Sequence, residues 1–332
     1  MNAMEPPYRL RTDLARVVED GFAFPLGVEQ GGLRPRMPGW SVEVRRSDDE
    51  QSDTLTYTVV VSHELVRPLA GELMRLLPAR VSGILELGSR DAFREVDVFI
   101  GEPIDFDRFH GPWELFESLL LEEATLGVGV NAPSPFIEIF LDHDKRIFIH
   151  IDPVHRRSIE SILSAWRISR RRGCELEPSP QRGVVTRPIL RDLPRHMVDT
   201  DHLLAELRID WNLHLDEDPE RNLDARGREM GATLWRALVF VDQEDPAGRR
   251  HGQAQVWAIA TSRRHMQEVV NEAIGTDVEW EYCELMSMDR VAFDDRPSEL
   301  DDMSPILDAD GILLYRVDPL GTVAQQWNDR DD

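Results

Sequence analysis

Two short runs place an aliphatic residue at every second position: Ile137-Glu-Ile-Phe-Leu141 and Ile147-Phe-Ile-His-Ile151. A period of two is the signature of a strand with one buried face. Between them lies Asp142-His-Asp-Lys-Arg146, a polar turn sequence, so the pair reads as a β-hairpin. Its register follows from the pattern. Pairing Leu141 with Ile147, Ile139 with Ile149 and Ile137 with Ile151 makes one face wholly aliphatic and sets Glu138 opposite His150. A slip of one residue would mix the faces.

The same pattern recurs. An offset of 166 residues carries Leu141 onto Leu307 and Asp152-Pro153 onto Asp318-Pro319, and both turn aspartates are kept. Asp308-Ala-Asp-Gly311 suits a turn closed by a left-handed glycine. Each Asp-Pro predicts a helix start, with Asp as cap and Pro in the first turn. Upstream, Trp40 and Trp235 each open a strand. After each come an acidic loop (Ser47 to Asp53, Asp242 to Gly252), a second strand ending at Ser62 or Ser262, a helix (His63 to Leu77, Arg263 to Ile274) and a strand through Leu85 or Cys283. The fold class expected is α+β: two related units of mainly antiparallel sheet with helices on one face, each β-β-α-β…β-β-α, with internal duplication or coincidence of common elements as the two explanations. Further helices are expected at Pro112 to Leu126, Arg156 to Arg172 and Thr200 to Leu207. The expected divisions are an N-terminal extension (1–35), a first unit (36–173), a connector that is Pro/Arg-rich and then acidic (174–230), and a second, shorter unit (231–332).

Composition narrows the function classes. The chain has 332 residues, 41% of them hydrophobic, which suffices for packed cores. No apolar run approaches the length of a membrane span, and Met1 to Gly21 lacks a signal-peptide apolar region, so a soluble, cytoplasmic protein is expected. Two cysteines, Cys174 and Cys283, exclude a disulfide framework and a Cys-rich zinc site. The formal net charge of −24 opposes binding to nucleic-acid phosphates. Lys145 is the only lysine. No P-loop exists, and Schiff-base or kinase chemistry would have to use a lysine in a turn.

The catalytic motifs tested fail on particular residues. Asp308-Ala-Asp-Gly-Ile-Leu resembles the nucleophile loop of haloacid-dehalogenase phosphatases, but Ile312 stands where that loop has threonine, and too little chain follows for its later motifs. His63-Glu64 opens like a zinc-protease helix, yet Arg67 holds the place of the second histidine. No cofactor-binding motif is present. Three classes stay open. The leading one is a non-catalytic regulatory or protein-interaction module whose partner is another protein. The second is a metal-dependent hydrolase: on the wet face of the hairpin Glu138, His150 and Asp152 converge as catalytic or metal-ligating candidates, with His155 one turn further as a fourth ligand. The third is an anionic ligand or RNA held by Arg170, Arg171 and Arg172, inside a stretch from His155 to His196 that holds ten arginines against four carboxylates.

Overall fold

The computed structural model describes residues 6–29, 36–45, 53–172, 185–191, 200–245, 248–304 and 311–322. Among these residues the protein is mixed α+β, with five α-helices and three antiparallel sheets. It divides into two compact units, Met1–Gly88 with Asp97–Asp216, and Ser89–Val96 with Glu217–Asp332.

The first unit opens with a small ribbon, β1 (Val18–Glu19) and β2 (Phe22–Ala23), followed by β3 (Gly39–Arg45), β4 (Thr54–Val60), α1 (His63–Met74), β5 (Arg80–Gly88), β6 (Val96–Gly101) and β7 (Ile104–Asp105). Then come α2 (Phe106–Glu122), β8 (Leu126–Pro133), β9 (Phe136–Leu141), β10 (Ile147–Ile151), α3 (Arg156–Ala165), α4 (Thr200–Asp210) and β11 (Leu213–Leu215). The main sheet runs β11-β6-β5-β8-β9-β10-β4-β3, with β7 beside β5. The hairpin adopts the register the apolar alternation demands: Leu141 faces Ile147, Ile139 faces Ile149, Ile137 faces Ile151 and Glu138 faces His150. Those six aliphatic side chains are fully buried, in one cluster with Tyr57, Leu69, Phe116 and Ile159 from β4, α1, α2 and α3. The helices therefore cover one face, and the other carries the alternate positions, where Glu138 faces His150 and Phe140 faces Phe148. Residues 6–29 belong to this body: Tyr8 is buried in the same core and its hydroxyl donates to the Leu115 carbonyl at 3.2 Å.

The second unit contains β12 (Thr233–Asp245), β13 (Gly248–Ala260), α5 (Arg263–Gly275), β14 (Glu281–Arg290) and β15 (Ile312–Thr322), in the order β14-β12-β13-β15. The Ser262 side chain caps α5 by accepting the His265 N–H at 3.1 Å. Met266, Val269, Val270 and Ala273 of α5 pack on Trp235, Ala237, Val239, Ala254 and Val256 of the sheet.

Both units contain the order β-β-α-β, but their topologies differ. In the first, the chain crosses from α1 to β5, on the far side of β10 from β3; in the second it crosses to β14, beside β12. What the units share is the three-strand set β3-β4-β10 against β12-β13-β15, each with a helix. The turn preceding the third strand also matches: Lys145 has φ 58° and Gly311 has φ 72°, both left-handed. The remainder of the second turn, Asp308 to Asp310, lies outside the described residues.

Four expectations need correction. Asp318-Pro319 does not start a helix; it lies within β15, an edge strand where Pro319 sits opposite Gly252 at a register irregularity. Proline is tolerated there because an edge strand has one side on which no N–H is needed. Residues 242–245 and 248–252 are not loop but the ends of β12 and β13, with Asp242 opposite His251. The third helix ends at Ala165, not Arg172: Arg167 turns left-handed at φ 55°, and the following segment pairs with β3. α2 spans Phe106–Glu122 in place of Pro112 to Leu126, with Pro112 inside it.

Candidate functional site

The hairpin register brings two of the predicted site residues together. Across the open face of the sheet runs a polar row: Asn131, Glu138, His150, Thr56 and Glu43. His150 Nε2 lies 3.8 Å from Glu138 Oε1, and His150 Nδ1 lies 3.0 Å from Thr56 Oγ1. Burial holds the imidazole below its ordinary pKa, and Arg45 adds to that, against the upward pull of Glu138. Asp152 is occupied elsewhere. Its carboxylate accepts the Phe136 N–H at 2.8 Å while its own N–H bonds the Phe136 carbonyl at 2.9 Å, so it clamps the open end of the hairpin. It makes no side-chain cap to the 3₁₀ turn Pro153–His155 that leads into α3. His155 follows in that turn, its Nε2 buried and without a hydrogen-bond partner. Among the described residues no three His, Cys, Asp or Glu side chains are grouped as a metal would require. The arrangement sets an imidazole, which can exchange a proton, beside the Glu138 carboxylate.

The arginine run has an intramolecular role. The Trp40 N–H donates to the Ser169 carbonyl at 3.0 Å and the Arg171 N–H donates to the Trp40 carbonyl at 2.7 Å, which adds this segment to the β3 edge. The Arg170 guanidinium lies 5.3 Å from the centroid of the Trp40 ring. Arg170, Arg171 and Arg172 are all exposed. Cys174 lies outside the described residues. Cys283 is an exposed free thiol whose pKa is raised, first by burial and then by Asp242.

The sequence reading missed a polar cluster at the end of α2. Glu122 accepts Arg16 Nη1 at 2.9 Å and Nη2 at 2.5 Å, the Leu26 N–H at 2.7 Å, and faces His63 Nε2 at 3.1 Å. Burial alone would raise its pKa; the bonds from His63 and Arg16, with smaller contributions after them, outweigh this and bring it to about 2. Nearby, Lys145 is 3% exposed and donates to the Leu126 carbonyl at 2.8 Å. Burial lowers its pKa to about 8 against the pull of Asp142, Glu123, Asp144 and Glu122. Asp144 pairs with Arg36 at 2.6 Å. His63 Nδ1 is buried without a hydrogen-bond partner, but the space lined by His63, Lys145 and Arg36 has room for about one water. No substrate fits, and the cluster acts as a fastener between residues 16–27 and the helix ends. The legible clue was Glu122-Glu123 near a helix C-terminus, where carboxylates are unfavourable unless paired.

The second unit has its own fastener. Arg290, 3% exposed, donates to Asp91 Oδ2 at 2.7 Å, Asn222 Oδ1 at 2.8 Å and the Leu223 carbonyl at 2.6 Å, between the rings of Phe93 and Trp235. Nε and Nη1 of this guanidinium are both committed to protein groups, which gives the site a structural role.

A groove of about 600 Å³ lies between α1 and α2 in the first unit, closed at one side by Trp166. A groove of this size falls in the range of ligand sites. Phe106, His110, Trp113 and Glu117 line it from α2 at helical spacing, Gly71, Glu72 and Arg75 from α1, and Met74 and Leu77 form its apolar floor. The Phe106 and His110 rings are 5.3 Å apart and tilted at 30°. None of the residues predicted from sequence as a site lies in it. No helix among the described residues is long and apolar enough to cross a membrane. No family model, curated protein or solved structure matches this chain.

Proposed function

We propose that this chain is a non-catalytic protein-binding module and that the groove between α1 and α2 is its docking site. The observation that carries the reading is the groove's wall: Trp113, Trp166, Phe106 and His110 around one concave space of about 600 Å³. Tryptophan-lined pockets are where protein interfaces concentrate their binding energy. The buried polar groups elsewhere support the same reading, because Glu122, Asp152 and Arg290 are engaged in holding the chain together. A cytoplasmic setting belongs to the proposal, supported by the exposed free thiol of Cys283.

Gly71 offers a direct test. A side chain added there meets no atom within 4 Å at its first carbon, so Gly71→Trp fills the groove while leaving the core intact. Wild type and variant are compared as bait in native extract, with the melting temperature as a control for folding. The proposal expects partners retained by the wild type and lost by an equally stable Gly71→Trp. Equal retention by both refutes it.

A further inference from the structure

We propose that the groove takes a guanidinium group, presented by an arginine side chain of a protein partner; this rests on the groove being the docking site. Among the described residues three carboxylates, Glu72, Glu114 and Glu117, line the space against one arginine, Arg75. They stand on both walls, Glu72 on α1 and the other two on α2. Arg75 answers Glu72 at 2.9 Å, and Arg67 answers Glu117 at 3.1 Å. Among the described residues Glu114 faces only His110 Nδ1, at 3.8 Å, and it keeps 71% of its side chain exposed. The rim therefore has negative charge to spare, in a protein whose formal charge is −24, and that field draws cations toward it.

The aromatic wall selects among cations. Trp166 and Phe106 are partly exposed and Trp113 stands behind them. Indole and phenyl faces attract a cation laid over them, and a planar, weakly hydrated guanidinium stacks on them at lower desolvation cost than an ammonium does. The same planar fork matches a carboxylate with two parallel N–H donors. An arginine side chain entering between the walls has apolar surface for its methylenes, rings for its plane and Glu114 for its donors. Lysine supplies the charge without the plane, and an anionic or uncharged segment meets the carboxylate rim.

The test uses the full chain and its intrinsic fluorescence, to which Trp113 and Trp166 contribute among eight tryptophans, titrated with Nα-acetyl-arginine methylamide, its citrulline counterpart and agmatine. Citrulline keeps the shape of arginine and removes the charge. The expected result is binding of the arginine probe about tenfold tighter than the citrulline probe. In Glu72→Gln/Glu114→Gln, which leaves the Glu117–Arg67 pair in place, that ratio falls to about threefold or less. Agmatine binding more tightly than the arginine probe assigns the site to free amines and overturns the assignment to a protein side chain. Equal binding of arginine and citrulline probes overturns the cationic assignment but leaves the docking groove standing. If no probe changes the fluorescence and Gly71→Trp captures the same partners as wild type, both the assignment and the groove fall. A melting temperature of the double variant equal to that of wild type shows that the loss is of binding and not of fold.

Discussion

Replacing Glu122 by glutamine removes the centre of the fastener at the end of α2, and its cost can be worked out. The carboxylate is 15% exposed and receives Arg16, His63 and the Leu26 N–H. Its pKa falls from 4.5 to about 2 on folding, which corresponds to about 3 kcal/mol of stability at neutral pH. A depressed carboxylate pKa contributes fully above the unfolded value and is lost as the pH drops through the folded one. The window is therefore pH 4.5 down to about 2, with about a quarter of the contribution gone at pH 4 and about three quarters at pH 2.5. Glutamine cannot titrate. Urea unfolding of both proteins at pH 7, 4 and 2.5, followed by fluorescence, measures the difference between them. Because the chain has two units, the transition that the substitution moves is taken as that of the first. The expected gap is about 3 kcal/mol at pH 7, shrinking to about 1 kcal/mol at pH 2.5. A gap that stays constant over this range would show that Glu122 contributes shape and not charge, and would refute the reasoning.

Other consequences are as direct. Asp91→Ala leaves Arg290 buried without its carboxylate and is expected to cost about 3–5 kcal/mol in the second unit, read from the unfolding transition that Glu122→Gln leaves in place. Gly129→Ala puts a methyl group 2.7 Å from the Ile139 carbonyl oxygen and 3.1 Å from Phe140 Cα; both atoms are backbone and cannot step aside, so a loss of about 1–3 kcal/mol is expected in thermal melts. His150→Ala removes one hydrogen bond on the open sheet face and is expected to change stability by about 1 kcal/mol or less; elemental analysis showing stoichiometric metal in the wild type and none in this variant would restore the metal-site reading.

The hairpin shows how much one strand pair can specify. Aliphatic residues at every second position have a single register that dries one face, so the pairing of Glu138 with His150 was legible before any fold was known. The helix start at Asp152-Pro153 was legible for a similar reason, because proline fixes the local backbone. Identical local chemistry at Asp318-Pro319 ended in an edge strand, because the long partner strand β13 offered pairing that proline does not obstruct at an edge.

The site was decided at longer range. Glu122, Arg16 and His63 are separated by up to 106 residues and meet only because α2 ends beside the N-terminal segment and the start of α1. The groove depends on Phe106, His110 and Trp113 of α2 facing Glu72 of α1 and Trp166 beyond α3. Local periodicity determines which side of each element is apolar. It carries no information on which other element that side will meet, and the free energy that chooses among those meetings comes from burial shared across the whole unit. Residue order thus determined the β9–β10 hairpin with its register, the β-β-α-β run of each unit and most helices; β1, β2, β6, β7, β8 and β11, the sheet order, the two buried fasteners and the aromatic groove came from tertiary packing.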